Sequence, residues 1–248
     1  VKARGGVLLA TGGYGASEAM RTRYIPFAEH HYSLQPEGNV GDGIALGLKA
    51  GAVHDPQHAG DCIWTPVSVL RKSHGSVVKY PHIFIDRAMP GCIAVGPDGR
   101  RFVNEGTSYQ TFVGTMHRLG ITTAHLIADH DFLRRYGLGL ARPSPFSPAA
   151  LIRAGYLLQA STLAELAQRI GVPSAQLEAT VHQFNEGARR GDDPAFGKGA
   201  DAHSRFRGDQ TRQPNPGVAP IGKGPYYPVA IHPRDLSPVR GLDTQGPG

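Results

Sequence analysis

Only two cysteines, Cys62 and Cys92, occur in the 248 residues, and they stand far apart with no paired spacing. Neither a disulfide scaffold nor a thiolate zinc site is expected from them, and a reducing, cytoplasmic setting is the default. Long apolar runs are also missing. Nothing approaches the ~20 residues that span a bilayer, so no membrane span is expected. The net charge is +6, yet Arg71, Arg100, Arg134, Arg153, Arg189 and Arg205 are scattered rather than gathered into a basic run. No aromatic-interleaved ribonucleoprotein motif accompanies them, so nucleic acid is not an expected partner. An enzyme that handles an anionic ligand accounts for the same excess of positive charge.

Three further absences concern the glycine signature, the ends and metal ligands. The dinucleotide fingerprint GxGxxG occurs nowhere. The first residues, Val1-Lys2-Ala3-Arg4, have neither an initiator Met nor the shape of a signal peptide. Val7 to Thr11 reads as a buried strand starting almost at once, so the expectation is a piece of a longer protein. Metal-ligand patterns are equally thin. His54 and His58 have helical metal spacing, but Pro56 lies between them, and His30-His31 has no third ligand in reach. No metal is expected.

What the sequence does hold is ordinary globular material. Hydrophobic residues make up 40% and charged residues 19%, with 33 Gly and 20 Pro to supply turns. That length can bury one large core or two smaller ones. After the Val7–Thr11 run and the Gly12-Gly13-Tyr14-Gly15 turn, helices are predicted from Ser17 and from Gly41-Asp42-Gly43, the second ending at Gly51. The stretch from His54 to Tyr80 is mixed, with several turn signals. Ile83-Phe84-Ile85 and Cys92–Val95 read as strands. Cys92–Val95 is predicted to pair with Arg101-Phe102-Val103 through Gly96-Pro97-Asp98-Gly99. Helices are predicted from Thr107 to Arg118 and through Phe132–Tyr136, with a strand at Ala124–Ala128 between them. Thr162-Leu163-Ala164-Glu165 is a capping box whose helix Gly171 ends. Ser174 is predicted to cap an amphipathic helix with Leu177, Val181 and Phe184 on one face. Gly187 to Pro220 reads as a polar covering loop, and Pro225–Ile231 as a strand.

Two glycine elements could meet a ligand. Ala10-Thr11-Gly12-Gly13 lets a backbone approach closely, since glycine has no Cβ. Gly41-Asp42-Gly43 presents free amides at the positive end of a helix. Either alone also reads as a tight turn.

Their order, together with two motifs further along the chain, is more specific. Arg4 through Gly15, then Gly41-Asp42-Gly43-Ile44, is similar to the second half of the flavin domain in the fumarate reductase and 3-ketosteroid dehydrogenase superfamily. Gly99-Arg100-Arg101-Phe102-Val103-Asn104-Glu105 resembles the hairpin motif of that superfamily's capping domain. Gly224-Pro225-Tyr226-Tyr227, then Gly241-Leu242-Asp243-Thr244, resembles the return toward the flavin domain. The resemblance implies an α+β protein: part of an FAD-binding domain (residues 1–66), an inserted mixed α/β substrate-capping domain (67–222), and the start of the return segment (223–248). It implies FAD, with Ala10, Thr11, Gly12, Gly13, Asp42 and Gly43 among its contacts.

The position four residues after Glu105 separates the branches. Fumarate reductases place a proton-delivering arginine there, whereas this chain has Tyr109, which resembles the catalytic base of ketosteroid dehydrogenases. A tyrosine needs its ordinary pKa of ~10 lowered, or a phenolate-stabilising neighbour, to act so near neutral pH. Dicarboxylate reductases also carry a His-Pro-Thr motif where this chain has Cys62-Ile63-Trp64-Thr65-Pro66-Val67. Trp64 and Tyr227 are placed by the resemblance at a pocket for an apolar, steroid-like ketone, whose oxidation beside the carbonyl would send hydride to the flavin and electrons on to an unidentified acceptor. A fumarate-reductase-like activity and a flavin-binding protein without turnover stay open as alternatives. The second is motivated by Ser237 and Pro238, where the family's return segment usually reads Gly-Thr, and by Arg240, which replaces a small residue. Glu105 is expected to anchor the hairpin. Arg87 is expected either to face the cavity or to lie on the surface, and His232 to be structural.

Overall fold

The computed structural model describes residues 3–27, 33–54, 62–83 and 86–243. Within the chain two compact units separate, one formed by Val1–Trp64 with Arg234–Gly248 and the other by Thr65–Pro233. The sheet order is β2-β1-β5-β4-β3, for β1 Cys62–Arg71, β2 Val77–Pro81, β3 Cys92–Val95, β4 Ala124–Asp129 and β5 Tyr226–Pro238.

The first unit contains α1 (Glu18–Tyr24) and α2 (Asp42–Lys49). Ser17 starts α1 as predicted, its hydroxyl accepting from the Met20 amide. Gly41 starts α2 at φ +91°, a backbone conformation that side chains disfavour. The predicted buried strand at Val7–Thr11 does not form. Val7 is 65% and Leu8 89% exposed, and no described strand pairs with them. A strand is made by hydrogen bonds to a neighbour, so apolar content without a partner leaves the segment irregular.

The second unit is built on antiparallel pairs. β3 lies against β4 with Cys92 opposite Ala128 and Val95 opposite His125. β4 lies against β5 with Ala124 opposite Ile231 and Asp129 opposite Tyr226. All four residues of β3 are buried, and its Ile93 and Val95 pack with Leu166, Leu177, Val181 and Phe184. The last four come from α6 (Leu163–Ile170) and α7 (Ser174–Ala188). Half of the predicted capping box forms: Thr162 accepts from the Glu165 amide at 3.1 Å, whereas Glu165 reaches past the cap to the Ser161 amide at 2.7 Å, and Gly171 closes α6 at φ +73°. Ser174 is instead the first residue of α7. Pro173 precedes it as the cap, and the Ser174 hydroxyl bonds Glu178.

Other differences are local. The His54–Tyr80 stretch contains the hairpin of β1 and β2, turned through Gly75 at φ +88°. The predicted Arg101–Val103 strand shrinks to one bridge, Val95 to Arg101. Helices α3 (Tyr109–Arg118) and α4 (His130–Tyr136) stand where predicted, while α5 (Ala149–Arg153) is an addition that no sequence signal marks. β5 is longer than predicted. The supposed covering loop holds α8 (Ala202–Phe206) and the buried side chains of Asp193, Lys198 and Asn215. Ile83 is not in a strand, and residues 84–85, with His30, His31 and His58, lie outside the described residues.

Candidate functional site

In the first unit the two glycine elements come together. The Gly41 amide donates to the Gly13 carbonyl at 3.1 Å. Gly43 faces the Thr11 hydroxyl so closely that a Cβ there would collide with it, and a Cβ on Gly12 would meet Asn39 Oδ1 at 2.7 Å. Ala10, Thr11 and Gly12 are exposed, Gly13 is half-buried, and Asp42 is the exposed first residue of α2. No described side chain caps α2, so its first-turn amides are left to a ligand or to water. Bare amides at a helix start, beside a stretch of exposed backbone, form a cradle for an electron-rich, planar or anionic group. The residues fit a flavin cofactor on that ground. His54, the metal candidate, is instead stacked on Tyr24 with ring centroids 3.8 Å apart.

In the second unit Tyr109 is the first residue of α3 and is half-buried. Ser108 caps that helix, its hydroxyl accepting from the Thr111 amide at 3.0 Å. Phe112, Val113 and Met116 fix the helix by their burial, and Tyr109, three, four and seven residues before them, lies at the amino end of the same face. Trp64 is a buried residue of β1. Tyr227 is buried in β5, its hydroxyl 3.4 Å from His130 Nδ1, and burial raises its pKa.

Just before α3 lies a buried ionic cluster. Arg101 grips Glu105 with Nε and Nη2, both at 2.8 Å, and grips Asp193 with Nη1 at 2.7 Å and Nη2 at 2.8 Å. Its guanidinium is sandwiched 4.8 Å from the Phe184 ring and 4.9 Å from that of Phe196. Glu105 also accepts from the Ala94 amide, so it anchors the turn to β3 as expected. Lys198 donates to the carbonyls of Met89 and Cys92 and stands 3.9 Å from Glu105. Burial lowers the Lys198 pKa, against the pull of Glu105. For Arg101 burial works downward too, but the two carboxylates prevail and raise its pKa. Two acids face two bases, and all are bonded, which is what a low-dielectric interior demands.

Arg87 corrects the sequence reading, which places it at a cavity or on the surface. Its side chain is fully buried. Nε donates to the His82 carbonyl at 2.7 Å, and Nη1 to the carbonyls of Glu105 at 2.6 Å and Thr107 at 2.8 Å. Burial pulls its pKa down to about 10, which leaves it charged at neutral pH. His82 is a second residue that sequence reasoning misses. It stands 2.6 Å from Asp86 and 2.7 Å from Ser68, whose hydroxyl is 2.6 Å from that of Tyr156. No local motif marks this group, because Ser68 comes from β1, His82 and Asp86 from beyond β2, and Tyr156 from the segment after α5. A cavity of about 500 Å³ elsewhere in this unit, lined by Asp129, Arg134, Arg135, Tyr136 and Arg212 among others, includes none of the predicted site residues.

No described helix is long and apolar enough to cross a membrane. Cys62 and Cys92 are both buried, and no disulfide joins them.

Comparison with known proteins gives a consistent answer. A 4-oxocyclohex-2-ene-1-carboxylate 5-dehydrogenase from Sinomonas cyclohexanicum is 41% identical over 98% of this chain and 42% of its own length. A 3-oxosteroid 1-dehydrogenase from Mycobacterium tuberculosis is 34% identical over 98% of this chain and 44% of its own. The crystal structure of a 3-ketosteroid delta1-dehydrogenase from Sterolibacterium denitrificans, in complex with 1,4-androstadiene-3,17-dione, superposes with a TM-score of 0.85 at 33% identity. That match covers 99% of this chain and 44% of that one, so the chain spans less than half the length of the relatives it matches. The family model for the FAD binding domain matches residues 1–247. The chain belongs to that FAD-binding flavoprotein family, with ring-ketone dehydrogenases among its relatives.

Proposed function

We propose that the whole protein dehydrogenates a ring ketone across the bond between the carbon next to its carbonyl and the following ring carbon, with Tyr109 as the base. The observation that carries the reading is Tyr109 itself, half-buried at the first residue of α3, four residues beyond the Glu105 anchor. The amino end of a helix tolerates the negative charge of a proton acceptor better than its middle does. Ser108, Phe112 and the anchored Glu105 leave the start of that helix little freedom, and a base must be held within hydrogen-bond reach of the carbon-bound proton.

In this reading Tyr109 Oη takes the proton from the carbon adjacent to the carbonyl. Bound FAD would supply the hydride acceptor for the neighbouring carbon, the two-electron oxidant that a new C=C bond requires. Ala10–Gly13 and the first-turn amides of α2 would hold the flavin, and Asp42 and Gly43 belong to that first turn. We assign the flavin contacts to the first unit and the proton-taking residue to the second, with Trp64 and Tyr227 as pocket residues. The relatives named for a cyclohexene carboxylate and for 3-oxosteroids support a ring ketone and leave its size open.

The test is anaerobic mixing of the FAD-loaded protein with 4-oxocyclohexanecarboxylate and, separately, with 4-androstene-3,17-dione. Bleaching of the oxidised flavin band by either compound supports the reading, and the faster one sets the substrate size. A flavin band unchanged by both, in a protein whose FAD dithionite still reduces, refutes it.

A further inference from the structure

Arg87 is a fully buried cation bonded to backbone carbonyls. Among the described residues, Arg87 has no carboxylate partner for a bidentate pair. It spends its donors on three backbone carbonyls, those of His82, Glu105 and Thr107. Its guanidinium also lies over the Phe112 ring, 5.2 Å from the centroid. Three of these four contacts are with the segment that leads into α3 or with α3 itself.

The other end of the clamp is rigid as well. Asp86 accepts the Arg87 amide at 2.9 Å through Oδ1, and through Oδ2 it meets His82 at 2.6 Å and the Gly139 amide at 2.9 Å. His82 is held in turn by Ser68, and Ser68 by Tyr156, whose hydroxyl accepts from the Leu140 amide at 2.9 Å. Ser68, His82, Asp86 and Arg87 are each at most 2% exposed. A planar fork with donors in fixed directions suits this task better than an ammonium group, which lacks both the fork and a face for the ring.

We propose that Arg87 is a positioning residue for Tyr109: it ties the carbonyls at 105 and 107 and the Phe112 ring to the buried His82 and Asp86, and so sets where the first turn of α3 begins. This rests on the reading of Tyr109 as the base. Arg87 then acts on the rate through the placement of one phenol and leaves substrate binding alone.

A double-mutant cycle in the FAD-loaded whole protein tests it, using whichever of the two ketones above bleaches the flavin. Arg87→Lys is expected to lower kcat by about 10- to 100-fold, the cost of misplacing a catalytic group by about an ångström, with KM within about threefold. In a Tyr109→Phe background the same change is expected to alter the residual rate by less than about threefold, because nothing is left to position. An equal proportional loss in both backgrounds, or a rise in KM at unchanged kcat, overturns the proposal. Tyr109→Phe inactive with Arg87→Lys at wild-type kcat overturns the positioning role alone, whereas Tyr109→Phe at wild-type kcat overturns the base and the positioning role together. Should Arg87→Lys not fold, Phe112→Leu decides, since it removes the ring face and keeps an apolar side chain. It is expected to cost about 3- to 10-fold in kcat, again only when Tyr109 is present, and an unchanged kcat overturns the proposal.

Discussion

Replacing Arg101 by Met removes one side chain from the middle of the ionic cluster and leaves its partners in place. Four charge-assisted hydrogen bonds of 2.7 to 2.8 Å disappear, two to Glu105 and two to Asp193. Both carboxylates stay buried, and the cluster keeps Lys198 as its cation, 3.9 Å from Glu105. Breaking a buried pair from one side costs about 3–5 kcal/mol, because the stranded charge has lost its solvent and its partner. Losing the sandwich between Phe184 and Phe196 adds about 1 kcal/mol, since Phe196 is partly exposed. The expected total, about 4–6 kcal/mol, is a large part of the roughly 5–15 kcal/mol that holds a typical domain together. Urea denaturation followed by fluorescence measures it, and hydrogen exchange at Ala94, whose amide rests on Glu105, reports the same loss locally. Adding Asp193→Asn to the Arg101→Met protein should recover stability by removing one stranded charge. A loss below about 1 kcal/mol, or a second substitution that only adds to the damage, would refute the reasoning.

The remaining predictions concern pH and the flavin cradle. Burial pushes His117 and His125 down to about 4, so they stay neutral in the folded chain where an unfolded histidine, near 6.5, takes a proton. Stability should therefore fall as pH drops from about 6.5 to about 4, and His125→Asn should flatten that slope in denaturation midpoints taken across the window. Below about 4 a second loss should set in. Burial works to raise Asp86 and Asp193, but His82 for the first and Arg101 for the second hold both below the ordinary carboxylate range. Their contribution is present above that range and disappears as pH falls through the lowered values, and a midpoint flat down to pH 3 would contradict this. Gly43→Ala should weaken FAD retention by about tenfold in equilibrium dialysis, because its Cβ points at the Thr11 hydroxyl, and Thr11→Ala should restore it.

The range of the forces involved decides how much of the fold and the site is legible in the sequence. Ser17, Thr162 with Glu165, and Gly171 act within a few residues, and their helices begin and end where the sequence places them. The Gly99-to-Glu105 motif and Tyr109 are legible only through their likeness to a known family, while the α3 helix itself begins two residues after the predicted Thr107. Val7–Thr11 misleads because apolar content alone does not supply a pairing partner. The β1–β2 hairpin is hidden by Pro66 and by turn residues that blur its alternation. Arg87, His82 and Lys198 are beyond reach: an isolated arginine, histidine or lysine looks like surface until folding surrounds it with polar partners, backbone carbonyls for Arg87 and Lys198 and the Ser68 and Asp86 side chains for His82.

The central claim is that Tyr109 takes the proton, and the most direct measurement is the rate of flavin reduction in the Tyr109→Phe protein, mixed anaerobically with a saturating ring ketone. The account predicts a fall of at least about 100-fold, with FAD content and ketone affinity close to wild type. Flavin reduction at the wild-type rate in that variant would contradict it.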